Sequence, residues 1–286
     1  ILQMNTQREQ LIETWLTTVL RSDRFEISYL AGDASFRRYA RVTLDHKSFM
    51  LMDAPPEKED CAPFVRIDEF LDQHQVRVPH IVAKDLDTGF LLLEDFGDVL
   101  LSTLLNADTV DHYYLQSFKQ LIQLQAIDGT QQLPAYSYDK LMTEMRLLTD
   151  WMFPALNIHL SEAEQTLVEQ TFDLLAKAAL NQPQVIVHRD FHSRNLMQLD
   201  NETDLGVIDF QDAVIGADTY DLISITRDAY VQWSPERVYQ WFEQFYNLLP
   251  EVAKQNRSFE QFKRDADFMA LQRHIKILGI FGRLFE

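Results

Sequence analysis

One segment constrains this chain more than any other. Val185-Ile186-Val187 leads into His188-Arg189-Asp190-Phe191-His192-Ser193-Arg194-Asn195, then Leu196-Met197-Gln198-Leu199. A polar turn over 200–204 follows, and Leu205-Gly206-Val207-Ile208 ends in Asp209-Phe210-Gln211. Short apolar and β-branched runs bounded by polar turns read as strands. The segment is therefore a strand, a loop and a hairpin set into sequence that is otherwise helical. The hairpin is expected to bring Asn195 and Asp209 side by side, with Asp190 at the mouth of the loop.

These residue types suit one chemistry. Asp and Asn oxygens are hard ligands for Mg²⁺, and a free carboxylate can orient an attacking hydroxyl and accept its proton. Phosphoryl transfer from ATP needs both functions. Asn195 and Asp209 are the candidate metal ligands and Asp190 the candidate catalytic carboxylate. A lone Asp on a loop is ordinarily a solvated turn residue, and a lone His a satisfied surface or core group. Here the elements come in one consistent order on one strand–loop–strand texture.

The rest of the chain supplies a frame. Leu11, Ile12, Trp15, Leu16, Val19 and Leu20 recur at helical spacing and predict a helix from Thr6 to Leu20. Phe25–Leu30, Arg38–Leu44 and Phe49–Met52, the last two separated by the polar run Asp45-His46-Lys47-Ser48, predict three consecutive antiparallel strands ended by Pro55-Pro56. Phe64, Ile67 and Leu71 predict a helix, and Phe90–Leu93 a buried strand. Further helices are expected over about 109–126, 137–150, 161–180, 235–248 and 259–283, with a Ser161/Glu164 capping box opening one of them. A β-rich N-terminal lobe over residues 1–96 and a helical C-terminal lobe over 97–286, without a flexible linker, make an α+β, two-lobed fold.

Composition narrows the partners. The 286 residues are 46% hydrophobic and 24% charged, which suits a folded chain with a sizeable core. A formal charge of −18 argues against nucleic acid or an anionic membrane as partner. The single cysteine, Cys61, rules out a disulfide framework and fits a reducing cytoplasm. No run is long and apolar enough to span a bilayer, and no leader is evident. Met4 is read as the native start after three foreign residues.

His188-Arg189-Asp190 and Asp209-Phe210 resemble the catalytic loop and metal-binding motif of the protein-kinase-like superfamily. The Asp-x-His-x-x-Asn form at 190–195, and the short step from Asp209 to Tyr220-Asp221-Leu222, resemble the aminoglycoside phosphotransferase and choline kinase branch. The resemblance implies ATP and Mg²⁺ as cofactors and gives His188 and Asp221 structural roles at the site. It also implies a loop over the phosphates at Ala31–Phe36, with Gly32, Asp33 and Ser35 as nucleotide contacts, and adenine contacts at Glu94 and Phe96. The third-strand cation usual in that superfamily is missing. Its place falls at Met52, and Arg37, Arg38, Arg41 and Lys47 are the candidates to compensate, with Arg38 taken as the nucleotide contact.

Gly-Asp-Ala-Ser-Phe-Arg-Arg-Tyr at 32–39, Met-Asp-Ala-Pro-Pro-Glu-Lys-Glu-Asp at 52–60, Arg-Asp-Phe-His-Ser-Arg-Asn-Leu-Met at 189–197 and Ile208–Ala213 make a narrower resemblance. It is to the bacterial anomeric kinases of N-acetylmuramate and N-acetylglucosamine, which act in peptidoglycan recycling. That family tends to run past Leu278–Arg283, so the chain is expected to be truncated. The resemblance implies an amino-sugar acceptor, with Glu144, Arg146, Gln211 and Asp212 as candidate contacts and Trp151 and Tyr220 nearby. Two readings stay open beside it: a kinase of another small hydroxyl compound, such as an aminoglycoside or choline, and a non-catalytic nucleotide-binding pseudokinase.

Overall fold

The computed structural model describes residues 2–32, 36–200 and 202–285, with side chains from residue 7 onward. It divides into two compact units, one running to Asp98 and including Gly206–Gln211, the other formed by Val99–Leu205 and the chain from Asp212 on. The architecture is the α+β one predicted, an antiparallel sheet in one unit and mainly helices in the other.

The first unit contains α1 (Leu2–Leu20), β1 (Glu26–Tyr29), β2 (Arg38–Leu44), β3 (Lys47–Asp53), α2 (Ala62–Gln73), β4 (Ile81–Asp85) and β5 (Phe90–Glu94). Its sheet has the order β1-β2-β3-β5-β4 with every pairing antiparallel. The turn between β2 and β3 is tighter than the sequence suggests, because Lys47 already pairs with Leu44 and only Asp45 and His46 turn. Asp45 reaches the left-handed region (φ 53°) that such a tight connection requires. Edge strand β4 was not foreseen. Its alternation is short and shallow, and a bulge between Ile81 and Ala83 breaks its register.

Side-chain alternation gives the two faces of this sheet different work. Ala40, Val42, Leu51, Phe90 and Leu92 point to one face and bury against Ile12 and Leu16 of α1, with the Trp15 ring 5.6 Å from Phe90. Asp53, fully buried on that face, receives Arg8 Nε at 2.7 Å and Arg38 Nη2 at 2.7 Å. Arg37, Tyr39 and Met52 take the opposite face, where the Tyr39 hydroxyl lies 3.5 Å from Met52 Sδ.

Helix α2 buries Phe64, Val65, Ile67 and Leu71 but also Asp68, whose carboxyl is fully enclosed and finds no hydrogen-bond partner among the described residues. Burial, then the charges of Asp72, Glu69 and Glu94, push this carboxyl up to about 8. Its folded value thus lies above an unfolded value near ~3.9. The contribution to stability is complete below that lower value and is lost as pH rises through about 8. In Asp68→Asn, which keeps the shape but cannot ionise, unfolding free energy should gain on the parent by up to ~1.4 kcal/mol per pH unit between about pH 5 and about pH 8. Urea denaturation across that range checks this; a difference independent of pH would show that Asp68 is not held protonated.

The second unit is built from α3 (Val110–Gln125), α4 (Tyr138–Leu147), α5 (Phe153–Ala155), α6 (Glu162–Leu180), α7 (Tyr220–Thr226), α8 (Pro235–Leu248), α9 (Glu251–Lys254) and α10 (Phe259–Leu284). Ser161 and Glu164 form the expected reciprocal capping box on α6. The helix predicted over 137–150 instead changes to π-helical geometry at Leu148–Met152 before α5. The cause is α10, where a Cβ at Gly279 would stand 2.5 Å from the backbone of Leu147 and Leu148, and one at Gly282 2.5 Å from Met152. Two glycines one turn apart let the helices touch backbone to backbone.

The strands of the signature segment are β6 (Gln184–Val187), β7 (Leu196–Met197) and β8 (Gly206–Val207), followed by β9 (Val214–Ala217). β6 pairs antiparallel with β9, Val187 opposite Val214. Among the described residues no helix is long and apolar enough to cross a membrane.

Candidate active site

The loop between β6 and β7 is held by two buried carboxylates. Asp221, at the start of α7 and 1% exposed, accepts the backbone N–H of His188 at 2.7 Å and of Arg189 at 3.0 Å. Arg189 is left-handed (φ 81°), a costly backbone for a side chain with a Cβ, and those two hydrogen bonds hold it there. Burial raises the Asp221 carboxyl to about 6 against the pull of His188 and the two N–H groups, so it stays largely ionised at neutral pH. Asp228 braces the other end, accepting Ser193 N at 3.0 Å and Ser193 Oγ at 2.5 Å.

Between the two braces the loop closes on itself. Asn195 Nδ2 and His192 N both donate to the Asp190 carbonyl, at 3.0 and 2.9 Å, and buried His188 accepts Asp190 N at Nδ1, 3.2 Å away. The main chain of Asp190 is thus tied on both sides, while its side chain remains partly exposed. The Asn195 amide is thus oriented by its Nδ2, which faces the Asp190 carbonyl. His192 is kept below its ordinary value by burial, opposed by Asp228 and Asp190.

Asp209 and Gln211 belong to the first unit. Asp209 is left-handed (φ 61°) and its Oδ1 accepts Gln211 Nε2 at 2.6 Å. Phe210 beside it packs on Phe64 of α2, ring centroids 5.0 Å apart, and the Arg37 guanidinium lies over Phe64 at 5.5 Å. Arg37 also pairs with Glu59 at 2.5 Å and hydrogen-bonds Tyr39, the residue opposite Met52. Arg37 and Asp209 therefore flank one Phe64–Phe210 pair. Among the described residues no cluster of three or more His, Cys, Asp or Glu is gathered. Mg²⁺ nevertheless needs few protein ligands, being held by one or two carboxylates with phosphates and water completing its shell, and Asp209 is a carboxylate that fits such a set.

The other nucleotide candidates fall unevenly. Asp33 and Ser35 lie outside the described residues; Gly32 is exposed, and a Cβ there would meet nothing within 4 Å. Arg38 needs correction as a nucleotide contact, for it lies on the α1 face of the sheet with Asp53, Arg8 and Tyr29. Arg41 is committed to Asp95 and Asp98 at the end of β5. The Glu94 carboxylate forks onto Arg77 at 2.7 and 2.8 Å, and buried Phe96 lies under the same guanidinium at 4.9 Å, so this stretch is rigidly tied to the sheet.

The acceptor candidates also separate. Glu144 turns inward to Arg189, Lys276 and Tyr136, whereas Arg146, two positions on and so on another helix face, pairs with Glu169 of α6. Asp212 is exposed, Trp151 lies half-buried in the π-helical turn, and Tyr220 is buried against Tyr136.

Residues 26–255 match the model of the phosphotransferase enzyme family. The chain belongs to this phosphotransferase family. Over 256 residues it is 40% identical to the N-acetylmuramate/N-acetylglucosamine kinase of Pseudomonas putida, covering 89% of this chain and 75% of the relative. It is 35% identical to the Neisseria meningitidis kinase of the same name, covering 98% of this chain and 84% of that one. Among solved structures, the GDP complex of aminoglycoside 2'-phosphotransferase-IIIa superposes with a TM-score of 0.66 at 15% identity, over 97% of this chain and 93% of that one. Choline kinase from Cryptosporidium parvum gives 0.65 at 12% identity, over 94% and 87%. These two likenesses carry the protein-kinase-like fold.

In this phosphotransferase the sequence reading overlooked Asp228 and Lys276. Asp228 sits in an unremarkable Arg-Asp-Ala-Tyr run, and its role appears only once α7 has turned the chain back to Ser193. Lys276 lies among other polar residues on α10, with no periodic signal to mark it as facing Glu144.

Proposed function

We propose that this phosphotransferase is a cytoplasmic, magnesium-dependent kinase that moves the γ-phosphoryl group of ATP to the anomeric hydroxyl of N-acetylmuramate or N-acetylglucosamine, in peptidoglycan recycling. The observation that carries the acceptor is the 35–40% identity, over nine-tenths of the chain or nearly so, to kinases of that name. An aminoglycoside or choline acceptor rests only on distant structural likeness.

The residues divide the work. Asp190 takes the proton of the anomeric hydroxyl as its oxygen bonds to the γ-phosphorus and the bond to the ADP oxygen breaks. That hydroxyl is more acidic than an ordinary alcohol, so an aligned carboxylate is a sufficient base. Asp221 and Asp228 keep the loop from shifting when the carboxylate is protonated. Asn195 and Asp209 would hold Mg²⁺, which supplies neutralisation of the phosphate oxygens. Arg37 takes the place of the missing third-strand cation: it lies on the Met52 face and is steadied by Glu59, Tyr39 and Phe64, the ring on which Phe210 packs.

Product chemistry tests the acceptor. Phosphorus–proton correlation NMR should couple the new phosphate to H1 of the sugar, and the product should lack a reducing end. Strong phosphorylation of an aminoglycoside or choline with no sugar phosphate formed would overturn the reading.

A further inference from the structure

Beside the Asp190 loop the second unit gathers positive charge, against the grain of a chain whose formal charge is −18. Arg189 Nη2 meets Glu144 Oε1 at 2.5 Å and Lys276 Nζ meets Glu144 Oε2 at 3.2 Å, so one carboxylate serves two cations. Tyr136 also donates to Glu144, and Lys276 Nζ reaches the Tyr220 hydroxyl at 3.3 Å. The rings of Tyr136 and Tyr220 stand 5.6 Å apart as the floor. The Arg189 guanidinium lies 5.1 Å above Tyr136, and Lys276 5.9 Å above Tyr220.

A third cation completes the group. Lys140, one turn before Glu144 on α4 and on the same face, places its ammonium 6.0 Å over Tyr136. Among the described residues it makes no ion pair. Burial and the charges of Arg189 and Lys276 depress its proton affinity, and Glu144 and exposed Asp212 only partly offset them. The Glu144 carboxylate is already shared, so three cations face one enclosed carboxylate and one solvated one. Such a site gains from an anion that enters with a ligand, because each added hydrogen bond is charge-assisted and relieves repulsion among the cations.

We propose that Lys140, backed by Arg189 and Lys276 over the Tyr136–Tyr220 floor, is the subsite that receives the carboxylate of an acidic sugar acceptor. The site then distinguishes a sugar bearing a carboxylate from its neutral counterpart. The inference rests on the sugar-kinase reading above and adds to it the group that reads the acid. Arg189 ties the subsite to the reacting centre, since the next residue is Asp190. Lys140 is the residue to test, because it alone of the three cations is not engaged by Glu144 and its loss leaves that buried network standing.

The experiment compares kcat/KM for N-acetylmuramate and N-acetylglucosamine in the unaltered protein, Lys140→Met and Lys140→Arg. Loss of a hydrogen bond to a charged group should lower the ratio of the acidic to the neutral sugar about ten- to a hundredfold in Lys140→Met, through KM. Lys140→Arg should restore most of it. An unchanged ratio overturns the proposal, as does a rise in KM for ATP with the ratio intact. If the unaltered protein phosphorylates neither sugar, the kinase reading itself fails and the proposal falls with it, a result distinct from turnover of both with a ratio blind to Lys140.

Discussion

Asp190→Asn is expected to lower turnover by at least ~10²-fold, the usual cost of losing an aligned general base, while affinity for nucleotide stays nearly unchanged. The substitution is close to isosteric, and it leaves the contacts that shape the loop. The Asp190 carbonyl still accepts from Asn195 and His192, and its N–H still meets His188. Asp221 and Asp228 act on neighbouring backbone and do not depend on the altered side chain. What disappears is the ability to take a proton. A turnover assay beside calorimetric titration with a non-hydrolysable ATP analogue separates the two effects. Retention of more than roughly a tenth of the turnover would remove Asp190 from the role of base.

Asp209→Ala should abolish magnesium-dependent transfer at every magnesium concentration. Asp209 supplies the anionic oxygen of the proposed metal pair, and Mg²⁺ gives up water reluctantly unless a carboxylate and phosphates share the site. Because Asp209 is left-handed, alanine also disturbs the backbone there, so Asp209→Asn is the necessary companion. Asparagine tolerates that conformation and keeps an oxygen ligand without the charge. Its activity should fall yet recover in part as magnesium is raised, whereas alanine should show no recovery. Equal thermal melting of the two variants would confirm that chemistry and not folding is being read. Normal activity of Asp209→Ala at low magnesium would place the metal elsewhere.

Local pattern carried much of this protein into view. The three antiparallel strands, the Ser161–Glu164 cap, α8 and the loop from His188 to Asn195 are legible because each depends on residues near in sequence: alternation, a cap three residues from its partner, a strand giving way to a polar loop. The family signature is legible for the same reason, since its motifs are contiguous. Elements whose shape is imposed from afar were not. α7 buries every residue it has and so shows no polar face to give it a period. The π-helical turn at Leu148–Met152 answers to glycines on α10.

At the site the division follows the same line. That Asp190, Asn195 and Asp209 are the oxygen-bearing candidates was readable from residue type and order alone. Which arginine faces Met52 was not, because Arg37 and Arg38 are neighbours in sequence and a strand sends neighbours to opposite faces. Only the packing of α1 on one face sends Arg38 to Asp53 and leaves Arg37 with Glu59, Tyr39 and Phe64. In the same way the sequence by itself determined that the chain is acidic, joins a β-rich part to a helical one and resembles the phosphotransferases. Tertiary structure alone decided that Asp228 braces the loop from His188 to Asn195 and that Arg189 and Lys276 converge on Glu144 with Lys140 over the adjoining Tyr136 ring, since charges distant in sequence acquire partners only when packing brings them within a few ångströms.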